Sequence, residues 1–266
     1  MKVDRVLMSL NNNSKYAGFW NAFSKVWKNK YNVLPTLIFL GSQKELRSLD
    51  LSEDYGEIYR FNEVPDVIVK RELDWSVTWV LYYATSLFPD DVCMTTGIDQ
   101  LLLSSDYFDW ISDIKEDKYV IGFADAYKNY NTNSLGYSPA KLGFFFPTSH
   151  HAAKGKTFCE AYKFEKTWEE EARKVFKNRA DHPVLKRQKC WGLDETYSST
   201  MLANWDTDKI VRINKFWTHI KPRRIERPHM VYEIDKLKNG EYFELHSSRP
   251  YKQFKKEIDE LLKHLG

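Results

Sequence analysis

The 266-residue sequence lacks any apolar run close to the roughly 18 residues that a membrane-spanning helix requires. Its amino terminus, MKVDRVLMSLNNN, carries a charge inside its only apolar run and shows no signal-peptide cleavage pattern. The cysteines, Cys93, Cys159 and Cys190, lie far apart and lack the Cys-x-x-Cys or Cys/His spacing of a zinc site. These absences predict a cytoplasmic protein without a transmembrane segment, whose cysteines are reduced and buried.

A long basic tract is also missing. The sequence has 40 Lys and Arg against 37 Asp and Glu, a net charge of +3, and basic residues cluster only between Lys221 and Arg227. There is no internal repeat, low-complexity tract or linker, and the length suits one large α/β domain. Aromatic residues, in contrast, make up 15% of the chain. Large rings supply contact area for flat or polyhydroxylated ligands, and they serve equally well to fill a core.

The first part of the chain has the pattern of a parallel sheet. Residues 3–10, VDRVLMSL, predict a buried strand, and apolar residues at helical spacing predict a helix from about Tyr16 to Lys30. Pro35 then opens a second strand, TLIFLG. Because ligands of parallel sheets bind at the carboxyl ends of the strands, Asn11 and Asn12 lie at a predicted binding edge. The simpler interpretation is that they cap the helix.

A central strand is predicted to end just before an acidic residue. EIYRFN reads as a strand, a helix follows over Trp75 to Leu87, and VCMTT reads as the next strand, so Asp99 lies just past its carboxyl end. LLLSSDYFDWI predicts a short strand and a helix that begins near Ser104 or Ser105. The simpler interpretation of Asp99 is a turn residue, since Gly97 and Asp99 both favour turns.

From residue 119 to about residue 191 the sequence is rich in loop residues and aromatics, which is typical of a functional segment. Within it, SHHAAKGKTF reads as a loop, and it lacks the upstream glycine of a phosphate-binding P-loop. The other predicted elements are helices over Thr167 to Lys177, Asp194 to Trp205 and Lys252 to Leu265, and a strand or hairpin over 230–246 with its turn at Asn239-Gly240.

Three patterns follow one another along the chain: the carboxylate at Asp99, the turn WGLDE at 191–195, and ELHSSRPY at 244–251. This order resembles that of the GT-A glycosyltransferases, and the resemblance covers most of the chain. It implies a single α/β domain over 1–266, with a mostly parallel central sheet flanked by helices. It further implies a Rossmann-like nucleotide-sugar-binding half, 1–118, and a loop-rich acceptor half, 119–266, with a closing helix.

In that family the central strand ends in Asp-x-Asp, which binds a divalent ion on the diphosphate of the donor; here the triplet is Gly97-Ile98-Asp99. The resemblance implies Asp99 and His246 as metal ligands, with Arg249 on phosphate. An imidazole beside oxygen ligands favours Mn²⁺ over Mg²⁺. If the metal is lost, Arg249 with Arg224 or Arg227 has to neutralise the diphosphate. The implied donor site consists of Asn11, Asn12, Gly97, Asp99, Arg224, Arg227 and Arg249. The plain alternatives are a half-buried histidine at 246 and a solvated arginine at 249.

The WGLDE turn resembles acceptor-side elements of several members of the family. The resemblance implies that Asp194 or Glu195 takes the proton of an acceptor hydroxyl in an inverting transfer, and that Trp191 stacks on a sugar ring. A helix amino terminus explains the two acids equally well. The loop SHHAAKGKTF is expected to lie over donor or acceptor and to present His150, His151 and Lys154, with Lys156 beside them.

The function predicted from this resemblance is transfer of a sugar from a UDP- or GDP-sugar to a saccharide or a glycoprotein glycan. One alternative is a glycoside hydrolase that uses a pair of carboxylates such as Asp99 and Asp194. A second alternative is a nucleic-acid-binding protein that uses the run KPRRIER, although the near-neutral charge balance argues against a nucleic-acid partner.

Overall fold

The structure is a computed structural model, and it describes residues 1–64, 73–127, 146–181, 193–218 and 221–265. The strands in this part of the chain are β1 (Arg5–Leu10), β2 (Leu34–Leu40), β3 (Glu57–Phe61), β4 (Val92–Thr95), β5 (Gln100–Leu102), β6 (Tyr119–Ile121), β7 (His151–Lys154), β8 (Ile210–Arg212), β9 (Trp217–Thr218), β10 (Lys221–Pro222), β11 (Arg224–Glu226) and β12 (Glu244–His246). The helices are α1 (Ser14–Tyr31), α2 (Gln43–Arg47), α3 (Leu73–Tyr83), α4 (Asp106–Ile111), α5 (Gly155–Tyr162), α6 (Trp168–Asp181), α7 (Leu193–Ala203), α8 (Ile234–Lys238) and α9 (Tyr251–Lys263).

A seven-stranded sheet in the order β3-β2-β1-β4-β7-β6-β8 forms the centre of the molecule. All neighbouring pairs are parallel except those of β7, which runs antiparallel to β4 and β6. This mixed α/β architecture with a mostly parallel sheet confirms the predicted fold class. The carboxyl ends of six of these strands, and the amino end of β7, therefore lie at one edge of the sheet.

The sheet separates two apolar cores. Alternate residues of β1 point to opposite faces, so that Val6 and Met8 enter one core and Leu7 enters the other. The first core contains apolar residues of α1 and α9, and the second contains those of α3, α5 and α7. Every residue of β1 is buried, including Arg5 and Ser9, as expected for a strand that is covered on both faces.

Helix α1 shows how closely the local sequence signals match the structure. The side chain of Asn13 caps its amino terminus by accepting a hydrogen bond from the Lys15 backbone N–H, and Asn32 ends it in a left-handed conformation. Phe19, Phe23 and Trp27 are fully buried on one face, as their spacing predicts.

A second sheet has the strand order β11-β12-β5. It places β12, near the carboxyl terminus, beside β5, which directly follows Asp99. Strand β12 runs antiparallel to β5 and parallel to β11. The hairpin alternative for 230–246 is therefore wrong, although the predicted turn at Asn239-Gly240 and one strand, β12, are present: helix α8 precedes the turn, and β12 pairs with β5 and β11. The buried side chains of Leu101, Ile225 and Leu245, one from each strand, provide the reason for this pairing.

The segment SHHAAKGKTF is also not a loop. Its residues 151–154 form β7, paired on both sides, and α5 begins at Gly155. The predicted helix over 75–87 is α3 followed by a short 3₁₀ turn at Ala84–Leu87. None of the described helices is long and apolar enough to span a membrane. Cys93 is buried and Cys159 partly exposed, both unpaired, and Cys190 lies outside the described residues.

We expect Gly155→Ala to destabilise the protein by about 1–3 kcal/mol. A Cβ atom at this position would lie 2.2 Å from the backbone oxygen of Phe88 and 2.3 Å from that of Thr85. These are backbone atoms, so α5 would have to move away from the 3₁₀ turn. Urea unfolding monitored by circular dichroism measures the effect. The matched control is Lys156→Ala, which removes only an exposed ion pair at 3.6 Å. Equal midpoints for the two variants would contradict the prediction.

Candidate functional site

Polar residues from several parts of the sequence follow strands that end at the sheet edge described above. Asn11 and Asn12 follow β1, Gly97 and Asp99 follow β4, and Tyr127 comes soon after β6. Parallel strands end at the same edge, so the topology alone brings these positions to one side of the molecule.

The two asparagines differ in exposure. Asn11 is buried, and its side-chain oxygen accepts a hydrogen bond from the Asn13 backbone N–H at 3.1 Å, so it shapes the turn into α1. Asn12 is exposed and donates to Glu45 Oε1 at 2.6 Å. Both lie at the edge where the sequence placed them; a contact with base or ribose stays a prediction.

A glutamine side chain lies beside the glycine in the triplet 97–99. Gln100 Oε1 accepts a hydrogen bond from the Gly97 backbone N–H at 3.1 Å, and the Gln100 backbone N–H donates to the Gly97 carbonyl at 3.0 Å. A Cβ atom at residue 97 would lie 2.6 Å from Gln100 Oε1. A carboxylate at 97 therefore requires the Gln100 amide to move, and in this structure the amide occupies that space.

Asp99 and His246 are brought together by the second sheet. Asp99 immediately precedes β5, and the antiparallel pairing of β5 with β12 sets His246 opposite Gln100. The Ser247 backbone N–H also donates to the Asp99 carbonyl at 2.8 Å. As a result, His246 Nε2 lies 3.7 Å from Asp99 Oδ2. Two residues separated by almost 150 positions thus meet in one site, as the order of the motifs led us to expect.

Two arginines contact the same carboxylate oxygen. Arg227 Nη1 lies 3.3 Å from Asp99 Oδ2, and Arg249 Nε lies 3.5 Å from it. The Asp99 side chain is only 12% exposed, whereas those of Arg227 and Arg249 are 32% and 33% exposed. The guanidinium group of Arg249 also lies 5.1 Å from the centre of the Tyr16 ring, at the start of α1. The carboxylate is thus enclosed, while both cations remain accessible to a ligand.

A chain of alternating charges continues from this cluster into the interior. His246 Nδ1 lies 2.8 Å from Glu226 Oε1, and Glu226 also pairs with Arg224. Although burial acts to raise it, the contacts with His246 and Arg224 lower the pKa of Glu226. The parallel pairing of β11 with β12 explains this geometry, because it sets Glu226 opposite His246 and Arg224 opposite Glu244.

The inner end of this chain is Glu244, which is 1% exposed. Its Oε1 lies 2.7 Å from His150 Nε2, and its Oε2 accepts from Arg224 Nη1 at 3.4 Å. Burial opposes ionisation of Glu244, but His150 and Arg224 together keep its pKa below the ordinary value. Arg224 is therefore committed to two carboxylates and is less available to a ligand than Arg227 or Arg249.

A second pair of carboxylates lies at the start of α7. The Tyr127 hydroxyl, just beyond β6, donates to Glu195 Oε1. Burial and the neighbouring charge of Asp194 raise the pKa of Glu195 to about 8, even though the Tyr127 hydrogen bond acts to lower it. A buried carboxyl whose pKa is raised by a neighbouring acid is typical of proton-transfer sites.

No protein-family model and no curated protein matches this sequence. Among solved structures, the bifunctional glycosyltransferase WbbM matches all of this chain (100%) and 50% of its own, with a TM-score of 0.51 and 10% sequence identity. The galactosyltransferase LgtC, crystallised with donor and acceptor sugar analogues, matches 89% of this chain and 95% of its own, with a TM-score of 0.40 and 11% identity. GlyE of Streptococcus pneumoniae TIGR4 matches 81% of this chain and 46% of its own, with a TM-score of 0.47 and 10% identity.

The chain has a GT-A-like glycosyltransferase fold. It spans about half the length of WbbM and of GlyE. At these sequence identities the similarity concerns the architecture, so activity and ligands have to be argued from the residues themselves.

The GT-A-like resemblance implies a divalent metal ion at Asp99, and the side chains around this residue determine whether such an ion fits. Asp99 and His246 offer one oxygen and one nitrogen, but Asp99 Oδ2 is shared by two guanidinium groups, and Glu226 faces His246 and Arg224 instead. In the part of the chain that the structure describes, no group of three His, Cys, Asp or Glu side chains is arranged to hold a metal. In this arrangement the residues do not fit a divalent cation. The binding of Mn²⁺ or Mg²⁺ that the resemblance implies stays an untested prediction.

The predicted acceptor residues have different surroundings. His150 and His151 are fully buried, and burial lowers the pKa of His151 to about 3, so its ring is neutral. Its Nδ1 pairs with the Tyr119 hydroxyl at 2.9 Å, and Lys154 forms an ion pair with Glu116 at 2.6 Å. These contacts favour a structural role, and acceptor binding by these residues stays a prediction. Trp191 lies outside the described residues.

Sequence reasoning missed Glu226, Glu244, Tyr127 and Tyr16. The first two were detectable in principle, because RIE at 224–226 and ELH at 244–246 share the polar-apolar-polar pattern of paired short strands. Tyr127 and Tyr16 carry no comparable signal, since aromatic residues are frequent throughout the sequence.

Proposed function

We propose that this protein is a glycosyltransferase that moves a sugar from a nucleotide-diphosphate sugar, with UDP or GDP as the nucleotide, to a saccharide or glycan acceptor. The observation that carries the proposal is the convergence of Arg227, Arg249 and His246 on Asp99 at the carboxyl ends of a GT-A-like sheet. A cationic cluster at this edge suits a diphosphate, because guanidinium groups bind phosphate oxygens through paired hydrogen bonds.

The chemistry follows from the two groups of residues. The acceptor oxygen attacks the anomeric carbon while its proton passes to a carboxylate, for which Glu195, with its raised pKa, is our candidate. The bond between the anomeric carbon and the diphosphate oxygen breaks, and its electron pair stays on the diphosphate. The arginines stabilise that charge. Asn11 and Asn12 lie at the same edge and are suited to contacts with the nucleoside.

The charges of the chain argue against the two alternatives. In the run KPRRIER, Arg223 pairs with Asp106, Arg224 with Glu226 and Glu244, and Arg227 with Asp99, so its arginines do not form a free basic surface. A hydrolase would use Asp99 as an acid or nucleophile, a role that two guanidinium groups on its oxygen oppose.

The direct experiment is to incubate the protein with a panel of UDP- and GDP-sugars, with and without Mn²⁺, and to measure release of the nucleoside diphosphate. We expect slow donor hydrolysis, which accelerates when a suitable saccharide is added. Asp99→Ala should abolish it, whereas Asp113→Ala, which removes an exposed carboxylate on the α4 side, should not. Cleavage of glycosides in the absence of any nucleotide would contradict the proposal and favour the hydrolase.

A further inference from the structure

Two arginines and a histidine surround the carboxylate of Asp99, and this arrangement opposes the binding of a metal ion there. Its Oδ2 atom faces Arg227 Nη1 at 3.3 Å, Arg249 Nε at 3.5 Å and His246 Nε2 at 3.7 Å. A divalent ion bound to that oxygen would lie beside two permanent cations in a site that is largely enclosed, and the repulsion would be strong there. The carboxylate is instead arranged as the shared counter-ion of two arginines.

The positions that could supply further ligands to a cation are already occupied. Gly97 has no side chain, and the Gln100 amide is held by the Gly97 backbone in the adjacent space. Glu226 is directed to His246 and Arg224. A hard cation needs several oxygen ligands, and the described residues around Asp99 leave only this one carboxylate.

The two arginines, in contrast, have unused donors. Arg249 contacts Asp99 through Nε, and within the described part of the chain its two terminal nitrogens have no hydrogen-bond partner. Arg227 uses Nη1, which leaves Nη2 and Nε. Both side chains are about one-third exposed, and the ring of Tyr16 supports the guanidinium plane of Arg249. Together they supply two positive charges, as many as one divalent ion, in a form that matches the oxygens of a diphosphate.

We propose that Arg227 and Arg249 bind the diphosphate of the nucleotide donor directly, without a divalent cation, and that Asp99 is a positioning residue that holds the two guanidinium groups side by side. This inference rests on the proposed function and specifies how its leaving group is bound. When the anomeric carbon–oxygen bond breaks, the electron pair goes to the terminal oxygen of the diphosphate, and the guanidinium donors stabilise it without any co-reactant.

The test is to titrate UDP, GDP and inorganic pyrophosphate into the whole chain by calorimetry, once with EDTA and once with Mn²⁺. Wild-type protein should bind at least one nucleoside diphosphate with the same Kd, within about twofold, in both conditions. Arg227→Gln and Arg249→Gln should each weaken binding by roughly ten- to a hundredfold, because each removes a charge-assisted contact. The matched control is Lys256→Gln, which removes the same charge from an exposed position on α9 and should bind like wild type.

Asp99→Asn separates a positioning residue from a metal ligand. If Asp99 positions the arginines, the substitution should weaken nucleotide binding by the same factor in EDTA and in Mn²⁺, and the melting temperature of the ligand-free protein should change little. Nucleotide binding that disappears in EDTA and returns with Mn²⁺ would overturn the inference and leave the proposed function intact. Absence of binding by UDP, GDP and pyrophosphate in both conditions would overturn the proposed function together with the inference.

Discussion

We expect Glu195→Gln to lower the rate of the proposed sugar transfer by about 10²- to 10⁴-fold and to leave binding of the nucleoside diphosphate unchanged. This is the expected result if Glu195 takes the proton from the acceptor hydroxyl, because glutamine has a similar shape and cannot accept that proton. The measurement pairs kcat for transfer with calorimetric titration of the nucleotide. Loss of nucleotide binding in the variant would instead indicate a structural role.

The pH profile provides the control for this assignment. Since the pKa of Glu195 is raised to about 8, the ionised base accumulates as the pH rises, and the transfer rate should increase through about pH 8. Tyr127→Phe removes a hydrogen bond that lowers this pKa, so the rise should move to higher pH. Asp194→Asn removes a neighbouring negative charge and should move it to lower pH. If Asp194→Asn abolishes transfer at every pH while Glu195→Gln does not, Asp194 is the base.

Glu244→Ala should destabilise the protein by about 3–5 kcal/mol, a large part of the roughly 5–15 kcal/mol by which folded proteins are stable. Glu244 is almost completely buried, and its two oxygens contact His150 and Arg224. Removing it leaves the guanidinium group of Arg224 buried with less compensation and the His150 ring without its carboxylate. Urea unfolding at neutral pH measures the loss.

The control for Glu244 is Glu241→Ala in the preceding turn. Glu241 is exposed, and its substitution should change the unfolding free energy by no more than about 0.5 kcal/mol.

The pH dependence of the stability difference provides a second check. Because the folded-state pKa of Glu244 lies below its ordinary value of 4.5, its stabilising effect is complete above that pH and is lost as the pH falls through the folded-state value. The difference between wild type and Glu244→Ala should therefore narrow in acid. A difference that stays constant down to strongly acidic pH would contradict the role of its charge.

The parts of the fold that depend on local pattern were predictable. Strand β1, helix α1 and strand β2 follow from apolar periodicity and from the proline at residue 35, both of which act over a few neighbouring residues. The placement of Asp99 past the end of β4 follows in the same way, because a short apolar run ends there.

The pairing of distant strands was not predictable by the same means. The segment 230–246 was expected to be a strand or a hairpin, and its one strand pairs with β5 and β11. SHHAAKGKTF was expected to be a loop, because its polar and glycine residues weaken the strand signal. In the structure, β7 is stabilised by β4 and β6 on either side, and β12 by β5 and β11. Tertiary neighbours overrode local preference in both cases.

The sequence by itself determined the α/β class, the order of the first strands and helices, and the presence of one acidic residue just past the carboxyl end of β4. Only the tertiary structure decided that Arg227, Arg249 and His246 share that acid and that Glu226 and Glu244 extend the cluster inward. The physical reason is the range of the forces involved: periodicity and capping operate within a few residues, whereas the second sheet depends on burying side chains of β5 against those of β11 and β12, more than a hundred residues further along the chain.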